Sequence, residues 1–109
     1  MLELFQTEWC PASRRVRQKL TELGVDYVLR QVPADPAKRQ TLEEATGATS
    51  VPVLVLDDGT PLVGEERIMA YLGEHFVEAT GAWAHRARAE KARRRYLEKE
   101  CECTQRATR

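Results

Sequence analysis

The chain has 109 residues, of which 42% are hydrophobic and 31% are charged, and its 17 basic residues balance its 17 acidic ones. These values are ordinary for one globular domain with a modest core, and the length excludes a second large domain. The zero net charge gives no reason to expect a nucleic-acid or membrane partner. The chain also has no run of the roughly 20 apolar residues that would span a bilayer.

The number of cysteines is odd, and two of the three, Cys101 and Cys103, lie in a polar C-terminal segment. A disulfide-stabilised secreted domain usually has evenly paired cysteines. Met1 leads directly into residues 2–5, without the basic start and long apolar run of a secretion signal. We therefore expect a cytoplasmic protein in which the remaining cysteine, Cys10, is either reactive or simply free.

The first third of the chain predicts a strand, a helix and a second strand. Alternation over residues 2–5 indicates the first strand, and residues 26–32 form the second. Between them, Pro11 suits the first turn of a helix that Gly24 ends as a C-cap. The apolar residues of this helix recur at helical spacing: Val16, Leu20 and Leu23. A right-handed crossover of this kind makes the two strands parallel.

The rest of the chain predicts a short helix, a hairpin and two longer helices. The segments are a helix over 37–46, strands over 53–56 and 61–63 joined by an Asp-Gly turn, a helix opening at 64–66 and a charged helix from 83 to about 102. This order predicts an α/β fold with a four-stranded mixed sheet flanked by helices and an extra C-terminal helix.

Three motifs resemble those of glutaredoxins and of the N-terminal domain of glutathione transferases. Cys10-Pro11-Ala12-Ser13 resembles their active-site motif in its single-cysteine form, and Thr49-Ser50-Val51-Pro52 resembles their cis-proline loop. Gly64-Glu65-Glu66 resembles the opening of their third helix, which binds the γ-glutamyl part of glutathione. The resemblance implies a thioredoxin-like, glutaredoxin-type domain over residues 1–77, followed by a charged helical extension over 78–109.

Cys10 is the candidate nucleophile. Free N–H groups and the helix dipole at a helix N-terminus stabilise a thiolate, which is the form of cysteine that attacks disulfides. Arg14 and Arg15 follow within a turn or so and add positive potential, while Trp9 offers an apolar wall for a substrate. The alternative is that Cys10 is a small buried hydrophobic residue without a chemical role.

Ser13 stands where the two-cysteine relatives carry a second thiol. Because a hydroxyl forms no disulfide, the remaining route is a cycle in which Cys10 alone accepts a small thiol from a mixed disulfide and a second small thiol releases it. Ser13 either donates a hydrogen bond to the thiolate or bonds to the backbone of the first helical turn. Both interpretations are open at this point.

The resemblance implies a glutathione site made of seven residues: Trp9, Pro11, Val51, Pro52, Gly64, Glu65 and Glu66. If Pro52 is cis, Val51 presents its backbone N–H and C=O to the cysteinyl part of glutathione. The backbone N–H groups of Glu65 and Glu66 suit a carboxylate, and a glutamate side chain suits an amino group. The same two residues also fit an ordinary acidic first turn of a helix.

The terminal helix interleaves alanines with a basic run: Arg86, Arg88, Lys91, Arg93, Arg94 and Arg95. Ion pairs four residues apart, such as Glu90–Arg94, account for this run, which matches no nucleic-acid-binding motif. Trp83 and Tyr96 are candidates to anchor the helix onto the domain or onto a second subunit.

Cys101 and Cys103 leave three interpretations open: a metal site, a resolving thiol for Cys10, or a tail without a task. We expect no metal, because His75 and His85 show no ligand spacing with the pair.

The predicted function is that of a monothiol glutaredoxin-like thiol–disulfide oxidoreductase, acting on mixed disulfides with glutathione or a similar small thiol as co-substrate. The alternatives are a transferase-type domain that binds or conjugates glutathione and a non-enzymatic thiol-binding module. S-thiolated proteins are the expected partners, with no nucleic acid or membrane, and the expected assembly is a monomer or a weak homodimer.

Overall fold

The computed structural model describes the backbone of residues 1–107 and the side chains of residues 1–95. Its elements are β1 (Leu2–Gln6), α1 (Pro11–Leu23), β2 (Tyr27–Gln31), a 3-10 turn (Pro36–Lys38), α2 (Gln40–Thr46), β3 (Val53–Val55), β4 (Pro61–Val63), α3 (Glu65–His75) and α4 (Ala82–Ala107). The predicted α/β class and the order of strands and helices are confirmed.

The four strands form one mixed sheet in the order β2-β1-β3-β4. β1 runs parallel to β2, with Leu4 opposite Leu29, and antiparallel to β3, with Phe5 opposite Val53. β4 pairs antiparallel with β3 across the predicted Asp-Gly turn, where Gly59 has a φ of 90°. This arrangement brings the C-terminal end of β1 and the start of β3 to the same end of the sheet.

Two hydrophobic clusters pack against the sheet, because successive side chains of a strand point to opposite faces. The larger cluster joins α1 and α3 to the sheet, and its buried members are Leu2, Leu4, Val16, Leu20, Leu23, Leu54, Ile68 and Leu72. The smaller cluster joins α2 to the sheet, and its buried members are Phe5, Val32, Leu42 and Val53. The cores therefore fix α1 and α3 side by side, so that their N-terminal turns are neighbours.

The helix predicted over residues 37–46 is interrupted. A 3-10 turn precedes it, and α2 begins only at Gln40 because Arg39 has a non-helical backbone, with φ of −93° and ψ of 50°. Gly47 ends α2 in the left-handed conformation, with φ of 77°.

The first turns of α4 pack against α1. Ala82 is buried, and Arg86 donates two hydrogen bonds of 3.0 and 3.1 Å to the buried Glu22 carboxylate. Trp83 is 73% exposed, so the interpretation that this indole anchors α4 onto the domain is wrong. A small alanine and an ion pair make the contact instead.

The Glu90 carboxylate pairs with Arg93, three residues later, and not with Arg94 as predicted. The side chains of Tyr96, Cys101 and Cys103 lie outside those that the structure describes, and so do the interpretations that rest on them. Within the described range, no helix is long and apolar enough to cross a membrane.

Candidate active site

Cys10 occupies the N-cap position of α1. Its backbone is extended, with φ of −70° and ψ of 119°, and its sulfur accepts the backbone N–H of Ser13 at 3.4 Å. Pro11 takes the first helical position, as predicted, where no N–H is needed. The thiol therefore stands where a capping side chain normally receives the free N–H groups of a helix.

The surroundings of Cys10 stabilise its thiolate. Partial burial opposes ionisation, but the nearby Ser13 hydroxyl, the backbone N–H groups of Ser13 and Ala12 and the charge of Arg15 outweigh it. Together they hold the pKa of the Cys10 thiol below its ordinary value. The Cys10 side chain is only partly buried.

Ser13 is fully buried, and its hydroxyl has no hydrogen-bond partner among the described residues. The interpretation in which this hydroxyl bonds to the backbone of the first turn is therefore wrong. An unpaired buried hydroxyl costs roughly 1–3 kcal/mol. A thiolate at Cys10 is an acceptor that relieves this cost, and the hydroxyl in turn lowers the pKa of Cys10.

Arg15 links the cysteine helix to α3. Its Nε and Nη2 atoms donate to the two carboxylate oxygens of Glu65 at 2.5 and 2.8 Å. This bidentate pair holds the pKa of the Glu65 carboxyl below its ordinary value. Glu65, one of the two glutamates that could bind an amino group of the ligand, thus already pairs with an arginine of α1.

Arg14 and Arg15 have different surroundings. Of the two arginines, Arg15 contributes its charge to Cys10, whereas Arg14 lines a groove between α1 and α4 together with Tyr27 and His85. Successive side chains on an α-helix are about 100° apart, so neighbouring arginines face different directions. That Arg14 also adds positive potential at Cys10 stays a prediction.

The peptide bond between Val51 and Pro52 is cis. Pro52 is buried, and its carbonyl accepts the N–H of Gly64 at 3.0 Å. Because Val53 is paired with Phe5 at the end of β1, the loop before it lies beside the chain that leads from β1 to the cysteine. The strand pairing and the hydrogen bond of Gly64 thus bring the three sequence motifs together at one end of the sheet.

Gly64 precedes α3 with φ of 95° and ψ of 151°, a conformation that glycine adopts without strain. No side chain caps α3, and its first helical hydrogen bond runs from the N–H of Ile68 to the carbonyl of Gly64. The N–H groups of Glu65 and Glu66 therefore remain available to an anion. The exposed Glu66 side chain adds negative charge beside them.

Trp9 precedes the cysteine and is 68% exposed. Its indole lies on the surface and does not wall a closed pocket, so the site is open on this side. Such an exposed aromatic side chain offers apolar contact area beside Cys10.

Arg39 is the site residue that the sequence analysis missed. Only 9% of it is exposed, and its guanidinium donates to the carbonyls of Pro33, Ala34 and Thr49 at 2.8, 3.2 and 2.8 Å. Thr49 begins the cis-proline loop, so Arg39 ties that loop to the chain after β2. An arginine in a polar stretch gives no local signal for this role, because the three carbonyls meet only in the folded chain.

The glutaredoxin family model matches residues 2–60 of the chain. No match was found among curated proteins.

Solved structures of longer proteins share the fold. A glutathione transferase family member from Pseudomonas fluorescens, with bound glutathione, aligns with a TM-score of 0.65 at 27% identity, over 72% of this chain and 40% of that one. A glutathione S-transferase from Methylobacillus flagellatus, also with bound glutathione, aligns with a TM-score of 0.59 at 28% identity, over 69% and 37%. Glutaredoxin 2 from Salmonella typhimurium, in complex with glutathione, gives 0.60 at 22% identity, over 66% and 32%. The chain spans less than half the length of each.

Proposed function

The chain belongs to the glutaredoxin family, and on that premise we propose that it is a thiol–disulfide oxidoreductase with Cys10 as its only catalytic cysteine. The observation that supports this function most is the sulfur at the N-cap of α1, held with a lowered pKa. Glutathione bound in two transferases of similar fold supports glutathione, or a similar small thiol, as the co-substrate. We place the reaction in the cytoplasm, where such thiols are kept reduced.

In the first step, the Cys10 thiolate attacks the glutathione sulfur of a mixed disulfide between glutathione and a protein. The bond between the two sulfurs of the mixed disulfide breaks, a Cys10–glutathione disulfide forms, and the protein thiolate leaves and takes a proton from water. The Ser13 hydroxyl and the Arg15 charge favour this step because they increase the fraction of Cys10 that is ionised at neutral pH.

In the second step, another glutathione thiolate attacks the glutathione sulfur that is bonded to Cys10. The Cys10–glutathione bond breaks, glutathione disulfide forms, and Cys10 returns as a thiolate. The protein cysteine has been reduced, and two glutathione units leave as one disulfide. Ser13 offers no sulfur, so the cycle has no intramolecular disulfide between positions 10 and 13.

We assign the glutathione site to the end of the sheet at which the three motifs meet. Val51 offers its backbone N–H and C=O to the cysteinyl part, and the free N–H groups of Glu65 and Glu66 receive the γ-glutamyl carboxylate. The ion pair between Arg15 and Glu65 reduces the repulsion that the Glu65 charge would exert on that carboxylate. Trp9, Pro11, Pro52 and Gly64 complete the site.

A second candidate function is the conjugation of glutathione to an electrophile, favoured by the glutathione transferases at 27% and 28% identity. The chain covers only 40% and 37% of those two proteins. Conjugation of an aromatic electrophile without reduction of mixed disulfides would support this candidate. Binding of glutathione without either activity would support a non-enzymatic module.

We also propose that residues 1–77 form the glutaredoxin-type domain and residues 78–109 an extension that α4 attaches to α1. The catalytic and glutathione-binding residues all fall within the first of these segments.

The test of the oxidoreductase function is turnover of a small glutathione mixed disulfide, with glutathione disulfide recycled by glutathione reductase and NADPH. The wild-type chain should reduce it, and Cys10→Ser should be inactive because no other sulfur takes part in the cycle. The double variant Cys101→Ser/Cys103→Ser is the matched control and should keep full activity. Activity that persists in Cys10→Ser would overturn the proposal.

A further inference from the structure

The ion pair between Arg15 and Glu65 joins two helices that begin at the same end of the sheet. β4 runs parallel to β1, because both strands are antiparallel to β3. Since α1 follows β1 and α3 follows β4, both helices start beside one another. Cys10 caps the first of them, and Glu65 is the first residue of the second. The ion pair therefore spans the gap between the two helix starts.

Glu65 is the anchored partner of this pair. The residue before it, Gly64, donates its N–H to the carbonyl of Pro52 at 3.0 Å, and Ile68, one turn later, is fully buried. The Arg15 side chain is 49% exposed, compared with 26% for that of Glu65. A long, half-exposed arginine side chain has many rotamers open to it in solvent. Without the carboxylate, the guanidinium would leave its present place.

Two hydrogen bonds fix the guanidinium in that place. The Nε and Nη2 atoms of Arg15 donate to the two carboxylate oxygens of Glu65 at 2.5 and 2.8 Å. Parallel bonds of this kind between a guanidinium and a carboxylate set an orientation as well as a distance. Glu65 therefore determines where the positive charge of Arg15 lies.

The position of this charge matters to Cys10. Arg15 follows Cys10 by five residues, a rise of about 7.5 Å along α1, and helical side chains lean back toward the N-terminus of their helix. The charge of Arg15 is among the influences that lower the pKa of the Cys10 thiol. Because the attraction between two charges weakens with distance, this influence depends on where the guanidinium is held.

The direct and indirect effects of Glu65 on Cys10 have opposite signs. A carboxylate near the sulfur by itself disfavours a thiolate, whereas a guanidinium that the carboxylate holds near the sulfur favours one. Only the second effect requires Arg15. Substitutions at the two positions, alone and together, therefore separate the two effects.

We propose that Glu65 is a positioning residue that keeps the Arg15 guanidinium near the Cys10 sulfur throughout the catalytic cycle. The proposal rests on the proposed function and adds a role for the Glu65 side chain, whereas only its backbone N–H is assigned to glutathione. The positioned charge stabilises the attacking thiolate in the first step and the leaving Cys10 thiolate in the second. Between these steps the sulfur is bonded to glutathione and carries no charge, so the bonds to Glu65 alone keep Arg15 in place.

The test is the pH dependence of Cys10 alkylation by iodoacetamide, a neutral reagent, in the Cys101→Ser/Cys103→Ser background without glutathione. Glu65→Ala should raise the pKa of Cys10 and slow its alkylation at pH 7 about threefold, although it removes a negative charge. Arg15→Gln should have an effect of similar size. In the Arg15→Gln background, Glu65→Ala should cause no further slowing.

Glu65→Gln is the second variant, since it nearly preserves the volume and keeps one acceptor oxygen for Arg15. It should slow alkylation in the same direction but by less. Glu74→Ala is the matched control, because it removes an exposed carboxylate from the same helix, and it should leave the pKa of Cys10 unchanged. An unchanged or lower pKa in Glu65→Ala would overturn the positioning role, as would equal slowing by Glu65→Ala with and without Arg15.

Alkylation requires no turnover, so it decides the role of Glu65 even if the wild-type chain reduces no mixed disulfide. That second result would overturn the proposed function alone. In a chain that is active, Glu65→Ala should lower kcat/KM for a small glutathione mixed disulfide about threefold at pH 7, and the loss should shrink as the pH rises above the pKa of Cys10. A loss that stays the same at every pH would contradict the positioning role.

Discussion

The Cys10 sulfur lies among donors that all come from the first turns of its own helix. The backbone N–H of Ser13 is 3.4 Å away, the Ser13 hydroxyl is buried next to it, and Arg15 adds a positive charge. Burial acts in the opposite direction, so the acidity of the thiol is a balance that single substitutions can shift. At the residue scale, the hydroxyl of Ser13 is the most informative of these groups because it has no other partner.

Ser13→Ala should raise the pKa of Cys10 and slow its alkylation at neutral pH several-fold, since a smaller fraction is then thiolate. At a pH low enough to keep Cys10 as a thiol, the free energy of unfolding should not fall, because the lost hydroxyl has no bond to give up in the folded chain. The measurements are the pH dependence of alkylation and a urea denaturation curve.

Thr21→Ala is the control for this variant, since it removes a hydroxyl from the exposed side of the same helix, where it bonds to the Arg17 carbonyl. It should leave the pKa of Cys10 unchanged. An unchanged pKa in Ser13→Ala would show that the hydroxyl does not act on the sulfur.

Residue roles that depend on chain position were predictable from sequence, and roles that depend on packing were not. The positions of Cys10 and Pro11 at the start of α1 could be predicted because both residues lie at a strand-to-helix junction. The different surroundings of Arg14 and Arg15 were not predictable, because the first turn of the helix presents adjacent side chains to different neighbours. Arg39 was missed because its three carbonyl partners come from two loops that sequence alone does not bring together.

At the scale of elements, hydrogen bonds hold the cis-proline loop at both of its ends. Arg39 holds the carbonyl of Thr49, and Gly64 donates its N–H to the carbonyl of Pro52. Between these two points the loop presents Val51, whose backbone we assign to glutathione. Arg39 is thus a positioning residue, since it acts through the loop.

Arg39→Lys should loosen this loop, because an ammonium group lacks the forked geometry with which the guanidinium donates to three separate carbonyls. We expect a loss of about 2 kcal/mol in the free energy of unfolding and faster amide hydrogen exchange over residues 49–51. KM for a glutathione mixed disulfide should rise, while the pKa of Cys10 should stay unchanged because Arg39 does not contact the first turn of α1.

Arg30→Lys, at an exposed arginine that pairs with Glu3 on the sheet, is the matched control and should change none of these quantities measurably. Unchanged hydrogen exchange over residues 49–51 in Arg39→Lys would contradict the positioning role.

The strands and helices themselves followed from hydrophobic periodicity and from the glycines that end them. The prediction failed within residues 37–46, where a helical pattern continues through Arg39 although the backbone does not. There the three hydrogen bonds of the buried guanidinium outweigh the propensity of the segment for a continuous helix.

At the scale of the whole molecule, a buried carboxylate attaches the terminal helix to the domain. Glu22 of α1 accepts hydrogen bonds from Arg86 of α4 and from Gln18, and its backbone carbonyl accepts the N–H of Ala79. Burial raises the pKa of this carboxyl, but the bonds from Arg86 and Gln18 outweigh burial and lower the pKa overall. The terminal helix was predictable from the sequence, but this attachment was not, because it joins residues far apart in the chain.

Glu22 should make stability depend on pH in the acid range. A carboxyl whose pKa is lower in the folded chain stabilises it above the unfolded pKa of about 4.3, and the contribution is lost as the pH falls through the folded value. Glu22→Gln should therefore be less stable than the wild-type chain at pH 7, and the difference should shrink as the pH falls below about 4.

Urea denaturation at several pH values measures this difference, with Glu90→Gln as the control at an exposed carboxylate that pairs with Arg93. A difference between Glu22→Gln and the wild-type chain that stays constant across the acid range would contradict the assignment.

The proposed function depends on the acidity of the Cys10 sulfur. The most direct test is the pH dependence of Cys10 alkylation, measured in the Cys101→Ser/Cys103→Ser background with and without glutathione as a competitor. We predict an apparent pKa clearly below the value of about 8.5 for a free cysteine and slower alkylation when glutathione is present. An apparent pKa at or above that value, with no protection by glutathione, would contradict the central claim.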